Sequence, residues 1–261
     1  MQALRTAATG MAAQQLNVEV ISNNIANMNT VGFKKQSAVF EDLLYQTYEQ
    51  PGAQSSDQGT VVPTGVQIGA GVKAGSVYRI TGQGTLTNTG NTFDLAINGQ
   101  GYFQVLLPSG ETAYTRAGNF STNAQGQIVT ADGYLVQPTI TIPANTTNVT
   151  ISQTGQVQAS VGGAAPTVVG QLTLATFFND AGLDAQGNNL FLESAASGPA
   201  TVGNPTQPGF GSVLQGYTEA SNVDPVSEIT NLIVAQRAYE MNSKVVTTAD
   251  QMLSTASNTK T

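Results

Sequence analysis

The chain has 261 residues, of which 40% are hydrophobic, so it can bury a core in one large domain or two small ones. Only 10% are charged, against roughly 25% in an ordinary globular protein, and the formal net charge is −7. The few Lys and Arg residues form no basic stripe, which argues against nucleic-acid binding. The chain has no Cys, which excludes disulfides and thiolate metal sites, and no His, the commonest general base and metal ligand.

A surface so poor in charge costs little to desolvate against a neighbour, which suits many copies packing side by side. A secreted, Gly-rich β protein without such a partner would have a similar composition. Residues 1–21 lack both a basic region and a continuous apolar run, so we expect no Sec-type signal peptide. No stretch approaches the roughly 20 apolar residues of a membrane span.

The N-terminal residues from Leu4 to Met28 are predicted to form a helix, because apolar residues recur in them every seven positions. Gly10 weakens this helix by about 1 kcal/mol relative to Ala. One heptad position is held by Leu4, Met11, Val18 and Ile25, and the position three later by Ala7, Gln14, Ile21 and Met28. The narrow stripe is typical of a coiled-coil seam.

One segment, residues 45–65, has no sustained periodicity and strong turn chemistry. A structureless loop this long is uncommon inside a compact domain. We therefore expect it to be disordered or held by something outside its own fold.

The middle of the chain is predicted to be β structure, because short apolar runs alternate with turn residues. Residues 127–130 and 134–137 fit as the arms of a hairpin across Asp132 and Gly133. Residues 194–211 are expected to be loop. Further strands are expected at 93–97, 102–107, 140–142, 149–151, 156–159, 168–178 and 190–192. This spacing favours an all-β sandwich or barrel-like module.

A second helix is predicted at the C-terminus, where Asp224 is a good N-cap and Pro225 suits the first helical position. Its heptad positions are Leu232, Tyr239, Val246 and Leu253, with Ala235, Asn242 and Ala249 three residues later. The fold class is therefore α+β, with the terminal helices paired as a coiled-coil-like module and a central all-β domain.

The predicted helix pair would be marginal in an isolated monomer, because its seam is filled largely by alanines and polar side chains. Packing many pairs around a common axis would supply the missing contacts, and contacts that do not close give a helical filament. The alternative is that both helices pack on the β module of their own chain. Fast amide exchange and early proteolysis of the ends in dilute monomer would favour assembly.

Residues 22–35 form a specific motif, in which Asn-Asn-x-Ala-Asn is followed by Thr-x-Gly-Phe-Lys. It resembles the N-terminal signature of the flagellar rod and hook family. The motif residues are Asn23, Asn24, Ala26, Asn27, Thr30, Gly32, Phe33 and Lys34. Residues 94–105, 114–120, 127–133, 214–223 and 236–242 are also similar to family segments, so the resemblance covers essentially the whole chain.

Residues 39–46 and 50–57 resemble an insertion particular to the distal rod member of this family, which hook members generally lack. The insertion residues are Gln46, Gln50, Pro51, Gly52, Ser55 and Asp57. A floppy surface loop is the plain alternative for this segment, and a proximal rod or hook paralogue is the alternative for the chain.

The resemblance implies a structural subunit of the flagellar basal body, in the rod that crosses the periplasm. Copies of the chain would polymerise into a stiff helical tube that transmits torque and contains the export channel. The implied partners are other rod proteins below, hook or junction proteins above, envelope ring proteins, the export apparatus and the rod cap. The family is exported without a cleaved signal, and Phe40 with Leu44 fits a loose pattern proposed for docking on the export gate; a helix burying Phe40, Leu43 and Leu44 would fit equally.

These expectations divide the chain into an inner-tube helix at 1–30, a connecting segment at 31–92, a β domain at 93–216, and a linker with the second helix at 217–261. The β domain is expected outside the tube, and the segment at 45–65 is expected to brace a neighbouring subunit. No cofactor, metal or catalytic residue is expected.

An enzyme would need a Ser with a Lys base or a pair of carboxylates, and the acidic residues form no such pair. Asp180 and Asp184 flank Gly182 as turn residues, where weak Ca²⁺ binding is an open alternative. An extracellular adhesin would explain the β centre and the low charge, but not the matching heptads at both ends.

Overall fold

A computed structural model describes residues 2–52 and 63–258 of the chain. The chain divides into two compact units. The helix unit comprises the described residues of Met1–Ile25, Gln36–Tyr78 and Pro225–Thr261. The β unit comprises Ala26–Lys35 and Arg79–Asp224.

The helix unit contains an antiparallel pair of helices, α1 (Gln2–Ala26) and α2 (Pro225–Asn258). A Cβ on Gly10 would lie 2.9 Å from the Asn242 side chain, and Asn24 at the other end of α1 bonds Glu228 near the start of α2. The α2 helix begins at Pro225, as predicted from its fixed φ. The α1 helix ends two residues before Met28.

Four strands belong mainly to the helix unit: β1 (Gln36–Asp42), β2 (Tyr45–Glu49), β3 (Val66–Gly69) and β4 (Val72–Arg79). The β1 strand pairs with β4, and β2 pairs antiparallel with β3. We call the β2–β3 pair the ribbon. The start of the segment at 45–65 is therefore a strand rather than loop, and β1 replaces the alternative of a helix through Phe40.

The β unit contains sixteen short strands and one 3₁₀ turn (Asp180–Gly182) among its described residues. The first eight are β5 (Leu86–Asn88), β6 (Leu95–Asn98), β7 (Phe103–Leu106), β8 (Thr112–Thr115), β9 (Ser121–Thr122), β10 (Ile128–Val129), β11 (Leu135–Gln137) and β12 (Thr146–Ile151). The rest are β13 (Gln156–Val161), β14 (Thr167–Gln171), β15 (Leu174–Thr176), β16 (Asp184–Gly187), β17 (Leu190–Leu192), β18 (Thr201–Gly203), β19 (Ser212–Gln215) and β20 (Tyr217–Glu219).

The largest sheet of the β unit has seven strands in the order β16-β17-β8-β7-β11-β10-β9. A three-stranded sheet, β12-β13-β14, and the pairs β15–β18, β6–β19 and β5–β20 complete the unit. The largest of its three apolar clusters contains Phe103, Val157, Leu172, Leu174 and Val213, which are fully buried. The β unit thus has a core of its own.

The β hairpin predicted across Asp132 and Gly133 is confirmed, with Val129 opposite Leu135. Two other strand predictions are wrong. The run at 168–178 splits into β14 and β15, because Leu172 turns inward and its N–H bonds the Gly155 carbonyl at 2.7 Å. The run at 140–142 forms only an isolated bridge through Thr141, although Ile140 and Ile142 join the core. The predicted loop at 194–211 contains β18.

Candidate functional site

The eight predicted assembly residues on the helices are all left at least partly exposed. Leu4, Met11, Val18 and Ile25 on α1 are half-buried, and so are Leu232 and Val246 on α2. Tyr239 and Leu253 are 43% and 44% exposed. On α2 the fully buried residues are Glu228, Ala235 and Ala249, which are polar or small. The seam is therefore thin, as the heptads indicated.

The α2 helix carries a large exposed apolar surface besides this stripe. Val234, Met241 and Met252 are each more than 60% exposed. The full set of exposed large apolar residues on the helix is Val226, Ile229, Ile233, Val234, Tyr239, Met241, Val245, Met252 and Leu253. Beside the seam lies a groove lined by Gln15, Val18, Glu19, Gln236, Tyr239 and Glu240. Val234, Met241, Val245 and Met252 follow one another at spacings of seven, four and seven residues, so they share one face of α2, and an exposed apolar face of this kind marks an interaction site.

The ribbon is also exposed on both of its strands. Tyr45, Tyr48, Val66 and Ile68 are between 46% and 66% exposed. A hydrogen bond to the Asp42 carboxylate raises the pKa of Tyr45. A two-stranded sheet is marginally stable in water without further packing. The ribbon therefore needs contacts beyond its own two strands.

Two hydrogen bonds tie the ribbon to the first turn of α1. The Gln2 amide donates to Gln46 Oε1 at 3.0 Å, and the Tyr48 hydroxyl donates to Gln2 Oε1 at 2.9 Å. Both bonds are exposed to water, so they orient the ribbon more than they stabilise it.

The remaining insertion and docking residues lie at or near the ribbon. Gln50, Pro51 and Gly52 are exposed, and Ser55 and Asp57 lie outside the described residues. Phe40 is half-buried on β1, whereas Leu44 between β1 and β2 is 88% exposed. The structure thus places Leu44 and Gln46 at the start of β2 and Gln50–Gly52 just after its end, so the insertion and docking residues are not brought to one point.

The motif residue Asn24 is buried, only 1% exposed, at the end of α1. Its Oδ1 accepts from the Gln36 N–H at 2.9 Å, and its Nδ2 donates to the Gln36 carbonyl at 2.8 Å. The same Nδ2 donates to Glu228 Oε2 on α2 at 3.2 Å. One side chain thus joins α1, β1 and α2. Its motif neighbours Asn23 and Ala26 lie in the same last turn of α1, and Asn27 follows it. Thr30 Oγ1 donates to Asn27 Oδ1 at 3.1 Å.

The second half of the motif lies in the β unit and forms a close backbone contact. Gly32 has φ +72°, and its N–H donates to the Glu219 carbonyl at 2.8 Å. A Cβ at this position would lie 2.6 Å from the backbone nitrogen of Ala117. Glycine is therefore required here both by φ and by space. Phe33, the next residue, is half-buried.

Lys34 is buried and forms an ion pair with Glu219, which is completely buried on β20. The Lys34 ammonium also donates to the Gly82 carbonyl at 2.9 Å. Burial lowers the pKa of Lys34, and the hydrogen bond and charge of Glu219 oppose that effect.

Arg116 completes this network, which we call the charge junction. Its Nη1 lies 3.2 Å from Glu219 Oε2, and its Nη2 donates to the Gly99 carbonyl at 2.8 Å. The Gly84 N–H donates to the other Glu219 oxygen at 2.8 Å. One carboxylate therefore holds two buried cations from segments far apart in sequence.

The sequence did not predict the roles of Arg116 and Glu219, although both lie in the quoted family segments. The available signal was their charge, since only 10% of the residues are charged. A lone Arg or Glu in an otherwise neutral segment is a candidate for a structural ion pair. Neither residue could have been assigned its partner without the fold.

No metal-binding cluster of three or more acidic, His or Cys residues occurs in residues 2–52 and 63–258. Asp180 lies in the 3₁₀ turn and Asp184 in β16, and burial raises the pKa of Asp180. Within the same residues, neither helix has an apolar stretch long enough to cross a bilayer.

Three family models match successive parts of the chain. Residues 4–34 match "Flagella basal body rod protein", residues 96–159 match "Flagellar hook protein FlgE/F/G D1 domain", and residues 214–259 match "Flagellar basal body rod FlgEFG protein C-terminal". These ranges contain α1 with the motif, much of the β unit, and α2 with Glu219.

Curated relatives match over nearly the full length. The flagellar basal-body rod protein FlgG of Caulobacter vibrioides is 72% identical over 98% of both chains. FlgG of Agrobacterium fabrum is 55% identical over 98% of both chains. The flagellar hook-basal body complex protein FlhP of Bacillus subtilis is 30% identical over 97% of both chains.

Proposed function

Because the chain belongs to the FlgG family of flagellar basal-body rod proteins, we propose that it polymerises with copies of itself into a stiff helical tube that acts as a drive shaft. It is a structural subunit of the flagellar distal rod. The observation that supports polymerisation is the exposed apolar surface of α2. The residues of this helix that the chain itself buries are only small or polar.

The helices supply the contacts of the tube. A monomer that leaves Val234, Met241 and Met252 in water gains free energy by burying them, at about 25 cal/mol per Å² of apolar surface. If the exposed surface of α2 meets a different surface of the next copy, the contact is heterologous, and such contacts generate an open helical array when their rotation does not close. Burying the surface of α1 costs little charge desolvation, since that helix has only Arg5 and Glu19 as charged residues.

The ribbon and the residues that follow it brace the tube. The ribbon leaves four large apolar side chains exposed and has no third strand among the described residues, so a neighbouring subunit is the partner that would stabilise it. A brace between subunits resists bending, and a stiff rod and a flexible hook could then share one subunit plan and differ in this segment.

The partners and location follow from this role. We expect contacts with other rod proteins below, with hook or junction proteins above, and with the surrounding envelope rings. The chain would reach its place through the flagellar export apparatus and be assembled under a rod cap, with Phe40 and Leu44 as the docking pair. The 72% identity to a FlgG, against 30% to FlhP, favours the distal rod over a paralogue.

Electron microscopy of the purified protein at rising concentration tests the polymer. We expect tubes from the natural chain and none from a Met241→Ser/Val245→Ser variant, whose replaced side chains are 63% and 47% exposed. Thr248→Ser on the same helix is the matched control and should form tubes. Normal tubes from the double variant would contradict a contact surface on this side of α2.

The brace is tested by deleting residues 46–62, which include ten residues outside the described part of the chain. We expect the deleted chain to polymerise into more curved or more flexible tubes. A chain in which the same residues are replaced by a Gly-Ser segment of equal length should behave like the deletion, because length alone provides no contact. Straight, stiff tubes from both chains would exclude the brace.

A further inference from the structure

The seam between α1 and α2 contains polar groups at two places where a stable helix pair would carry large apolar side chains. At one place Asn24 donates to Glu228, and both side chains are at least 95% buried. At the other place Asn242 packs against Gly10, where a Cβ would come within 2.9 Å. Neither contact is a favourable way to fill a seam, because both forgo apolar burial.

Glu228 is the more costly of these groups. Its carboxylate is 5% exposed, and none of the ion pairs among the described residues includes it. Replacing buried polar or ionic groups by well-packed apolar ones is often neutral or stabilising. The best-attested use of such groups in helix pairs is to fix the register at a cost in stability.

The spacing of the two contacts fits this use. Asn24 and Gly10 are fourteen residues apart on α1, and Glu228 and Asn242 are fourteen apart on α2. Fourteen residues are two heptads, so both contacts form together in the observed antiparallel register. A slip of one heptad in one direction would place Asn24 opposite Ala235 and Asn242 opposite Asn17. A slip in the other direction would place Asn242 opposite Ala3 and leave Asn24 beyond the start of α2.

Asn24 can act as a reference point because its own orientation is fixed. Its amide oxygen and nitrogen both bond the backbone of Gln36, at 2.9 and 2.8 Å. The bond from its Nδ2 to α2 therefore has one direction. On α2 this bond is accepted by Glu228, whereas the other buried residues of that helix are Ala235 and Ala249, which offer no side-chain acceptor.

We infer that Asn24 and Glu228 are the register-setting pair of the helix unit: they select one alignment of α1 on α2 rather than stabilise the pair. A single register matters because the exposed surface of α2 is presented correctly to other copies only in that alignment. This last step rests on the proposed polymer, whereas the register itself is a property of the monomer.

Distances between spin labels in the monomer test the register. The chain has no Cys, so Glu19→Cys on α1 and Gln251→Cys on α2, both exposed and well separated along the helix axis, place labels on the two helices without background. We expect one narrow distance in the otherwise natural chain. In Glu228→Leu we expect unchanged or higher helix stability together with a second distance population, because a slip of one heptad moves one label along the helix axis by about 10 Å at 1.5 Å per residue.

Two variants serve as controls. Glu228→Gln keeps an acceptor for Asn24 and should restore the single distance. Asn231→Leu adds the same apolar side chain to an exposed position of α2 and should also keep the single distance. A single narrow distance in Glu228→Leu, or loss of its helicity, would overturn the inference, because either result shows that Glu228 does not select between stable alignments.

Polymerisation separates this inference from the proposed function. If the natural chain forms tubes, Glu228→Leu should form fewer or irregular tubes while Asn231→Leu forms normal ones. If the natural chain forms no tubes but Glu228→Leu still shows two distances, the polymer is wrong and the register-setting pair stands. Normal tubes from Glu228→Leu together with a single distance would exclude the pair.

Discussion

The β unit and the helix unit bury their apolar residues to very different extents. In the β unit, Phe103, Val157, Leu172 and Val213 are completely buried within one cluster. In α2 the only buried residues are two alanines and Glu228, while nine large apolar residues stay exposed. The β unit therefore has an apolar core of its own, whereas α2 leaves most of its large apolar side chains in contact with water.

The comparison predicts that truncating an apolar side chain lowers the free energy of unfolding strongly in the β unit and only slightly on α2. Phe103→Ala removes a fully buried ring that packs edge-to-face on Phe120 at 5.1 Å, and should lower the free energy of unfolding of the β unit by about 4 kcal/mol. Met241→Ala on α2 should cost the monomer about 0.5 kcal/mol or less, because its side chain is 63% exposed. Urea unfolding of the dilute monomer measures both.

An equal loss in the two variants would remove the distinction between the units. The same measurement above the concentration at which tubes form sharpens it. There Met241→Ala should become clearly destabilising, while the Phe103→Ala effect should not depend on concentration.

The charge junction adds a buried ionic network to the β unit. Removing its central charge should lower the free energy of unfolding by about 3 kcal/mol. Glu219→Gln leaves Lys34 and Arg116 buried without a counter-ion, because the carboxylate that joins them becomes neutral. Glu41→Gln is the matched control, since its ion pair with Lys73 is more than half exposed and should be worth about 0.5 kcal/mol. Chemical denaturation followed by tyrosine fluorescence gives the free energy of unfolding of both variants. Similar small losses in the two would show that the charge junction does not stabilise the β unit.

The motif glycine in the β unit offers a third contrast, between strain and space. Gly32 and Gly110 both have positive φ, but a Cβ on Gly110 would meet nothing within 4 Å. Gly110→Ala should therefore cost only the backbone strain of about 1 kcal/mol, while Gly32→Ala should cost about 2 kcal/mol or more, because the backbone of Ala117 cannot move aside. Thermal unfolding measures the loss of stability in the two variants. Equal losses would show that the close approach of the Ala117 backbone to Gly32 has no energetic effect.

The same contrast explains what could be predicted from the sequence. The helices were predictable because Pro225 and the heptads act locally, and the hairpin because Asp132 and Gly133 determine their own turn. The ribbon was missed because its strands are short, turn residues lie between them, and β2 does not alternate apolar and polar residues. The motif was recognised as a signature, but the partners of Lys34 were not, because Arg116 and Glu219 meet it only through the fold.

The smallest expected effect concerns pH and is also confined to the charge junction. Burial lowers the pKa of Lys34 below its ordinary 10.5, partly offset by Glu219. A buried lysine of lowered pKa destabilises the folded state while it is charged in both states. The β unit should therefore gain a little stability as the pH rises through the folded pKa of Lys34 towards 10.5, and Lys34→Met should lack this gain.

Tyr102 sets the upper limit of this pH range, because its raised pKa makes the stability of the folded state fall, rather than rise, with increasing pH. Burial raises its pKa to about 12 from 10.0, so its contribution is complete below pH 10 and is lost above it, as unfolded tyrosine ionises while the folded residue keeps its proton. Urea unfolding of the natural chain and of Lys34→Met is therefore compared between about pH 8 and about pH 10, where tyrosine keeps its proton in both states. The difference between the two chains in this range gives the contribution of Lys34. The helix unit has no buried lysine among its described residues, so its stability should not rise with pH. Amide exchange, corrected for intrinsic rates, measures the stability of both units in the same sample.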